Sequence, residues 1–325
     1  MLRRTTKAFA ERMVRSGRGA SIGEEEMTIE LKGRNAVVTG GGGGLGRSHA
    51  LALARYGARV LVNDLSAEGA EAVAAEIRAA GGQAEAVACS VTDRQAMVAM
   101  IDGVVERWGS IDILVNNAGI LRDRTFANLT LEDFEAVFDV HVMGSVIATK
   151  AAWPHMRTQG HGRIIFTTSS SGLYGNFGQS NYGAAKMAVV GLMQTLSLEG
   201  AKYGIRVNCL APSASTQMTA GLYSQDDLKG LSTDLVSPGV VALSADGAPT
   251  RVVLLAGAGA FEQAHITMTR GVWLGDAPDA ADQLHARWSE VGARDGEQAP
   301  DSGAAQYNHE VRHPDKAGAP ARLDA

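Results

Sequence analysis

The chain has 325 residues, 45% hydrophobic and 20% charged, with 30 Lys and Arg against 35 Asp and Glu for a formal net charge of −5. That balance offers no basic surface for nucleic acid, two cysteines exclude a disulfide scaffold, and no Cys/His cluster has zinc spacing, so no metal is expected. No apolar run approaches the roughly 18–20 residues of a membrane span, and a reducing, cytoplasmic setting is the default expectation.

Residues 1–27 carry Arg3, Arg4, Lys7, Arg12, Arg15 and Arg18, then Glu24 to Glu26, without the apolar stretch of a secretory signal. They are expected to form a flexible extension. From residue 28, short β-branched runs alternate with Ala-rich stretches of helical period. Strands are predicted at 35–39, 59–63, 84–88, 111–115, 163–168, 205–210 and 251–255, and helices near 45–57, 67–80, 93–108, 131–157 and 181–203. Continuously apolar strands suit a parallel sheet buried on both faces. The βαβ alternation implies right-handed crossovers and a doubly wound α/β fold with ligands at the carboxyl ends of the strands. Residues 291–325 hold three of the eight prolines, scattered charge and few aliphatics. That composition predicts a disordered polar tail, leaving 28–290 as the folded domain.

Three motifs fall at strand ends. Thr39-Gly40-Gly41-Gly42-Gly43-Gly44-Leu45-Gly46 joins the first strand to the first helix. Glycines there let the backbone turn tightly and approach a pyrophosphate at the helix N-terminus, so Thr39, Gly40, Gly44, Leu45 and Gly46 are candidate cofactor residues. Asp64 ends the second strand, 24 residues after Gly40, and Leu65 follows it. An acid at that place accepts hydrogen bonds from an adenosine ribose and repels a 2′-phosphate, which favours NAD over NADP; Arg47 is the nearby cation that could tolerate a phosphate instead. Asn116-Asn117-Ala118-Gly119 after the fourth strand offers small residues and amides near the same ribose.

The third motif is Tyr182-Gly183-Ala184-Ala185-Lys186. Positions i and i+4 share a helix face, so phenol and ammonium converge. A neighbouring cation is expected to lower the tyrosine pKa and make Tyr182 a general acid/base for an alcohol/carbonyl pair. Ser169, 13 residues earlier and just past a predicted strand, could orient the substrate oxygen.

The order TGxxxGxG, Asp after strand two, NNAG, Ser and YxxxK resembles the short-chain dehydrogenase/reductases over about residues 30–290. The resemblance implies a Rossmann domain with a seven-stranded parallel sheet, a nicotinamide cofactor, and Ser169, Tyr182 and Lys186 as catalytic residues. It also implies that the lysine holds the nicotinamide ribose and feeds a proton relay. His141 stands in the segment His141-Val142-Met143-Gly144, where most of that family has Asn in an N-V-x-G context; as a fourth catalytic residue it can still anchor a water. Pro212-Ser213 replaces the usual PG, so Pro212 and Thr216 are carried over as cofactor contacts. Ser90 stands near the place of an acid that often meets adenine, leaving that contact to the backbone there and to Val91.

The stretches VTGGGGGLGR, VNDL, NNAGILRDRTF, HVMGS, RIIFTTSSSGLYGNFGQSNYGAAK and APSASTQMT are similar to the (3R)-hydroxyacyl-CoA dehydrogenase unit of multifunctional β-oxidation enzymes, a group that also carries His in the fourth position. That resemblance implies an NAD-dependent exchange between a (3R)-hydroxyacyl-CoA and a 3-oxoacyl-CoA. Hydroxysteroid dehydrogenase, 3-oxoacyl-carrier-protein reductase and a non-catalytic NAD-binding scaffold are the alternatives. Tyr174 and Phe177 are expected to border the substrate pocket with Leu173, and Met218 with Leu222 and Tyr223 to line a mobile lid that suits an acyl chain or a steroid. Arg122 and Arg124 are candidates for a CoA tail. Helices 131–157 and 181–203 pack against a second subunit in the family, which implies a homodimer or homotetramer.

Overall fold

The seven predicted strands all form and pair in parallel. β1 (Asn35–Thr39), β2 (Arg59–Asp64), β3 (Gln83–Ala88), β4 (Ile113–Asn116), β5 (Gly162–Thr167), β6 (Ile205–Ser213) and β7 (Val253–Gly257) run in the spatial order 3-2-1-4-5-6-7. The computed structural model describes residues 29–214 and 230–318, within a compact unit that starts at Leu31. The expected extension 1–27, and the lid residues Thr216, Met218, Leu222 and Tyr223, lie outside the described residues.

Central strands β1, β4 and β5 are buried along their whole length, as suits the apolar runs at their centres. Val37, Leu61, Leu114, Ile164, Phe166 and Val207 from the sheet join Met97, Ile101, Val104, Met156, Val189 and Met193 from helices in one core cluster. The helices are α1 (Gly44–Arg55), α2 (Ala67–Ala79), α3 (Arg94–Trp108), α4 (Leu131–Phe138), α5 (Gly144–Gln159), α6 (Ser170–Tyr174), α7 (Ser180–Gly200) and α8 (Ser237–Ser244). Their starts are fixed locally. Ser66 accepts the amide of Gly69 to begin α2, and Asp93 accepts those of Gln95 and Ala96 to begin α3; both satisfy otherwise orphan donors.

The chain builds outward through β1, β2 and β3, then returns to place β4 on the other side of β1. The segments leaving β1 and β4 therefore diverge, and a crevice opens at their carboxyl ends.

The structure differs from expectation in three places. An eighth, antiparallel strand β8 (Ala260–Ala264) extends the sheet beyond β7. Its two-residue turn puts Ala258 at φ 51° and Gly259 at φ 81°, the left-handed pair that a tight hairpin of this twist demands. The predicted helix 131–157 is two helices, α4 and α5, joined by a π-helical turn at Asp139–Met143. Finally, residues 291–318 are not a disordered tail. They include helix α11 (Gly303–Val311), after α9 (Ala280–Ala286) and α10 (Trp288–Val291). Met268 and Gln298 exchange backbone hydrogen bonds of 2.8 and 3.0 Å. The imidazoles of His309 and His313 both bond the Arg270 carbonyl, at 2.8 and 3.1 Å, and Arg251 donates to the Pro300 carbonyl at 3.0 Å. Polar groups meeting backbone carbonyls order this segment, which a count of aliphatic residues does not register.

Candidate active site

The glycine loop is shaped by contacts that exclude any side chain. Gly40 has φ 61°, and a Cβ there would lie 2.8 Å from Ala118 Cα. A Cβ on Gly46 would sit 2.0 Å from the Gly40 carbonyl oxygen, and one on Gly42 would sit 2.9 Å from the Asp64 carboxylate. The loop thus lies close against β2 and the segment after β4. α1 starts at Gly44 with no side-chain cap, so its first amides are left for an acceptor from outside.

Asp64 is locked in place. One carboxylate oxygen accepts the Gly42 amide at 2.9 Å and the other the Ser66 amide at 3.1 Å. Arg47 is paired with Glu76, whose carboxylate takes its Nε at 2.8 Å and a second guanidinium nitrogen besides.

The Asn116–Gly119 segment is a brace as well as a wall. Thr39 Oγ1 accepts the amides of Asn117 and Ala118 at 3.0 and 3.2 Å and lies 3.3 Å from the Val115 carbonyl. Asn117 Nδ2 donates to the carbonyls of Thr39 and Gly40 at 3.1 and 3.0 Å. These bonds hold the two diverging strand ends at a fixed separation.

His141 projects from the π turn. A Cβ on Gly119 would come 2.3 Å from its Cε1, so only glycine fits there. Its Nε2 lies 2.8 Å from the Ile120 carbonyl oxygen and 3.1 Å from the Ile120 amide nitrogen, so Ile120 binds it in either tautomer. Its Nδ1 has no partner among the described residues. Burial, helped by the Lys186 charge, lowers its pKa to about 3, and the ring is neutral at physiological pH. It meets the Tyr182 ring edge to face at 5.3 Å.

Tyr182 and Lys186 lie one turn apart on α7, as their spacing requires. Lys186 Nζ sits 5.5 Å from the Tyr182 ring centroid and donates to the Thr167 carbonyl at 2.6 Å. Burial pulls the ammonium pKa down to about 7. The phenol departs from expectation: its pKa is raised, because burial outweighs the hydrogen bond from Ser169, and Asp123 adds to the rise. The cation alone does not overcome desolvation, so Tyr182 holds its proton. Ser169 is buried, its Oγ accepts the Ser171 amide at 3.1 Å, and it caps α6.

One cavity of about 440 Å³ brings together Gly40, Gly44, Leu45, Gly46, Asp64, Asn117, Ala118, Gly119, His141, Tyr182, Lys186 and Pro212. Thr39 and Ser169 are not among its lining residues. Ser90 serves its own turn by accepting the Thr92 amide at 3.2 Å, and Val91 packs on Gly144 at the start of α5. Leu65, Tyr174 and Phe177 are 74%, 68% and 89% exposed and lie outside the cavity lining. Sequence reasoning missed Thr167, which lines the cavity and whose buried Oγ1 has no partner. It also missed Asp123, Gln179 and Asn181, whose polar contacts cross between segments distant in the chain and leave no periodic signal.

A strand–glycine loop–helix cradle, an acid on β2 and a Tyr/Lys pair in one crevice define a nucleotide-dependent dehydrogenase site on a doubly wound sheet. The short chain dehydrogenase family matches residues 34–227, and the chain belongs to that family; it is an oxidoreductase acting on CH–OH groups. It is 42% identical over 271 residues to a short-chain type dehydrogenase/reductase of Mycobacterium tuberculosis, covering 80% of this chain and 94% of that one. It is 45% identical over 224 residues to the peroxisomal multifunctional enzyme type 2 of Mus musculus, covering 66% of this chain but 30% of the mouse protein. The solved structure of full-length peroxisomal multifunctional enzyme type 2 from Drosophila melanogaster superposes with a TM-score of 0.76 at 35% identity, over 89% of this chain and 50% of that one.

Proposed function

We propose that the protein is an NAD-dependent dehydrogenase that interconverts (3R)-hydroxyacyl-CoA and 3-oxoacyl-CoA esters. The observation that carries the reading is the single cavity shared by the glycine loop, Asp64, His141, Tyr182 and Lys186. The cavity fits a dinucleotide: a Cβ at Gly40 or Gly46 would clash with the backbone of the cradle, and Thr167 Oγ1 and His141 Nδ1 keep hydrogen-bonding capacity unspent. When bound, the nicotinamide supplies the hydride that the protein's own groups lack.

The glycine loop and the free amides of α1 would hold the pyrophosphate. Asp64 would accept the adenosine ribose hydroxyls, and a 2′-phosphate there would meet a fixed carboxylate, with Arg47 already paired to Glu76. Ser169 and Tyr182 would bond the substrate oxygen. Tyr182, a phenol that keeps its proton, would donate it as the ketone is reduced and accept it back in the reverse direction. Lys186 would stabilise the phenolate so formed, with His141 anchoring a water between the buried ammonium and solvent. The acyl-CoA assignment is supported by the motifs shared with hydroxyacyl-CoA dehydrogenase units and by the likeness to multifunctional enzyme type 2.

α5 and α7 carry the surface proposed to pair with a second copy, as a homodimer or homotetramer. A cleft there is lined by Val146, Trp153, Leu192 and Leu196, with Leu198 52% exposed nearby. No helix among the described residues is long and apolar enough to cross a membrane, and the cytoplasm is the compartment proposed.

The test follows NADH absorbance with the full chain and short, medium and sterol-side-chain 3-oxoacyl-CoA esters, with NADPH in parallel. Oxidation of NADH by at least one ester, faster than of NADPH, is expected. Turnover of free steroid ketones but of no thioester would replace the substrate, and NADH binding without turnover of any ketone would make the protein a scaffold.

A further inference from the structure

We infer that Asp123 and Gln179 form a positioning clamp that fixes Ser169 and Tyr182 relative to each other, joining the segment after β4 to the turn before α7. The inference rests on the proposed roles of Ser169 and Tyr182. Gln179 is buried, and its Nε2 donates to Asp123 Oδ2 at 2.7 Å. Its Oε1 accepts Ser171 Oγ at 2.7 Å and Asn176 Nδ2 at 3.0 Å. The amide can therefore stand only one way round: a carboxylate takes its donor end and two donors take its acceptor end. Ser171 then passes the constraint on, because its backbone amide donates to Ser169 Oγ at 3.1 Å.

A second strut runs beside the first. Asn181 is wholly buried, donates to the Arg122 carbonyl at 2.9 Å and accepts the Tyr182 amide at 2.8 Å. The Arg124 amide donates to the Gly178 carbonyl at 3.0 Å. Thus residues 122–124 touch the turn 178–181 at three points, immediately before Tyr182. The residue before α7, Gln179, makes no side-chain cap, and its side chain is spent on the clamp instead. Among the described residues Asp123 Oδ1 has no partner, so the carboxylate's bond to Gln179 is made through Oδ2.

The clamp is specific in direction, so reversing it is the test. Gln179→Glu sets two carboxylates against each other. Asp123→Asn with Gln179→Glu restores one donor and one acceptor, and leaves Glu oxygens to accept Ser171 and Asn176. The full-length wild type, the single variant and the double variant are compared with NADH and the best ketone substrate, at a temperature where all three are folded by circular dichroism. Gln179→Glu is expected to lower kcat on the order of 10²-fold, as a misplaced reacting group does. NADH affinity stays within about twofold, and the double variant recovers at least about tenfold of the loss. Wild-type kcat in Gln179→Glu, or no recovery in the double variant, overturns the clamp. Amide hydrogen exchange at 169–171 and 180–183 reads the same cycle without turnover. Faster exchange in Gln179→Glu and its reversal in the double variant support the clamp, and equal exchange in all three contradicts it. A wild type that reduces no ketone would count against the catalytic reading, and the exchange experiment would still decide the clamp.

Discussion

At the scale of single residues, the proposed preference for NAD rests on Asp64. Its two oxygens are already aimed by the amides of Gly42 and Ser66, so little ordering remains when a ribose arrives. Asp64→Ala removes charge-assisted hydrogen bonds worth about 1.5–3 kcal/mol each. The ratio of kcat/KM for NADH over NADPH should therefore fall at least about tenfold; an unaltered ratio would take the specificity away from this carboxylate. Gly46 tests the cradle itself. An alanine Cβ there must displace the Gly40 carbonyl, 2.0 Å away. Gly46→Ala should weaken NADH binding on the order of 10²-fold in a fluorescence titration, whereas wild-type affinity would show that the cofactor lies elsewhere. These residues were legible in the sequence because each works through a local pattern: glycines after a strand, an acid at the next strand end, a Tyr and a Lys one turn apart. The phenol pKa was not legible. It depends on how far Tyr182 is desolvated, which is set by tertiary packing such as the edge-to-face contact with His141.

At the scale of elements, the crevice persists because β1 and β4 are tied together beyond their last ladder bonds. Thr39 Oγ1 is the knot, accepting two amides from the segment after β4. Thr39→Val keeps the shape and strands both donors in a buried place, which should cost about 2–4 kcal/mol and appear as a lower Tm. A Tm equal to that of wild type would mean that the strand ends hold without the hydroxyl. The same scale shows why the predicted helix 131–157 is broken. Its apolar period continues across 139–143, so nothing in the pattern marks the extra residue of the π turn, yet that residue aims His141 at Tyr182. Such insertions gather at functional sites. β8 escaped notice for another reason: it is a largely exposed strand, with neither a continuous apolar run nor strict alternation to betray it.

At the scale of the whole molecule, three histidines are held neutral by their surroundings, His49 and His141 buried and His161 half-buried. Burial lowers His49 to a pKa of about 3, His141 to about 3 and His161 to about 4. The unfolded chain takes up protons at these rings near pH 6.5, while the folded chain does not until far lower. The unfolded state therefore binds more protons as pH falls below about 6.5, and the contribution of these groups to stability declines from there toward pH 4. Tm is expected to drop steadily from pH 6.5 to 4.5; a level Tm across that range would contradict the assigned protonation states. The C-terminal segment belongs to this scale too. Its order comes from His309, His313 and Arg251 reaching carbonyls on separate parts of the chain. No local composition records that, just as none records that Gln179 meets Asp123 across 56 positions.

The measurement that bears most directly on the account is the pairing of turnover and cofactor binding in Tyr182→Phe. With wild-type protein that oxidises NADH in the presence of a 3-oxoacyl-CoA ester, the variant should lose kcat by about 10²–10⁴-fold while NADH binds with unchanged affinity. Turnover at the wild-type rate in Tyr182→Phe would contradict the proposal that this phenol supplies the proton.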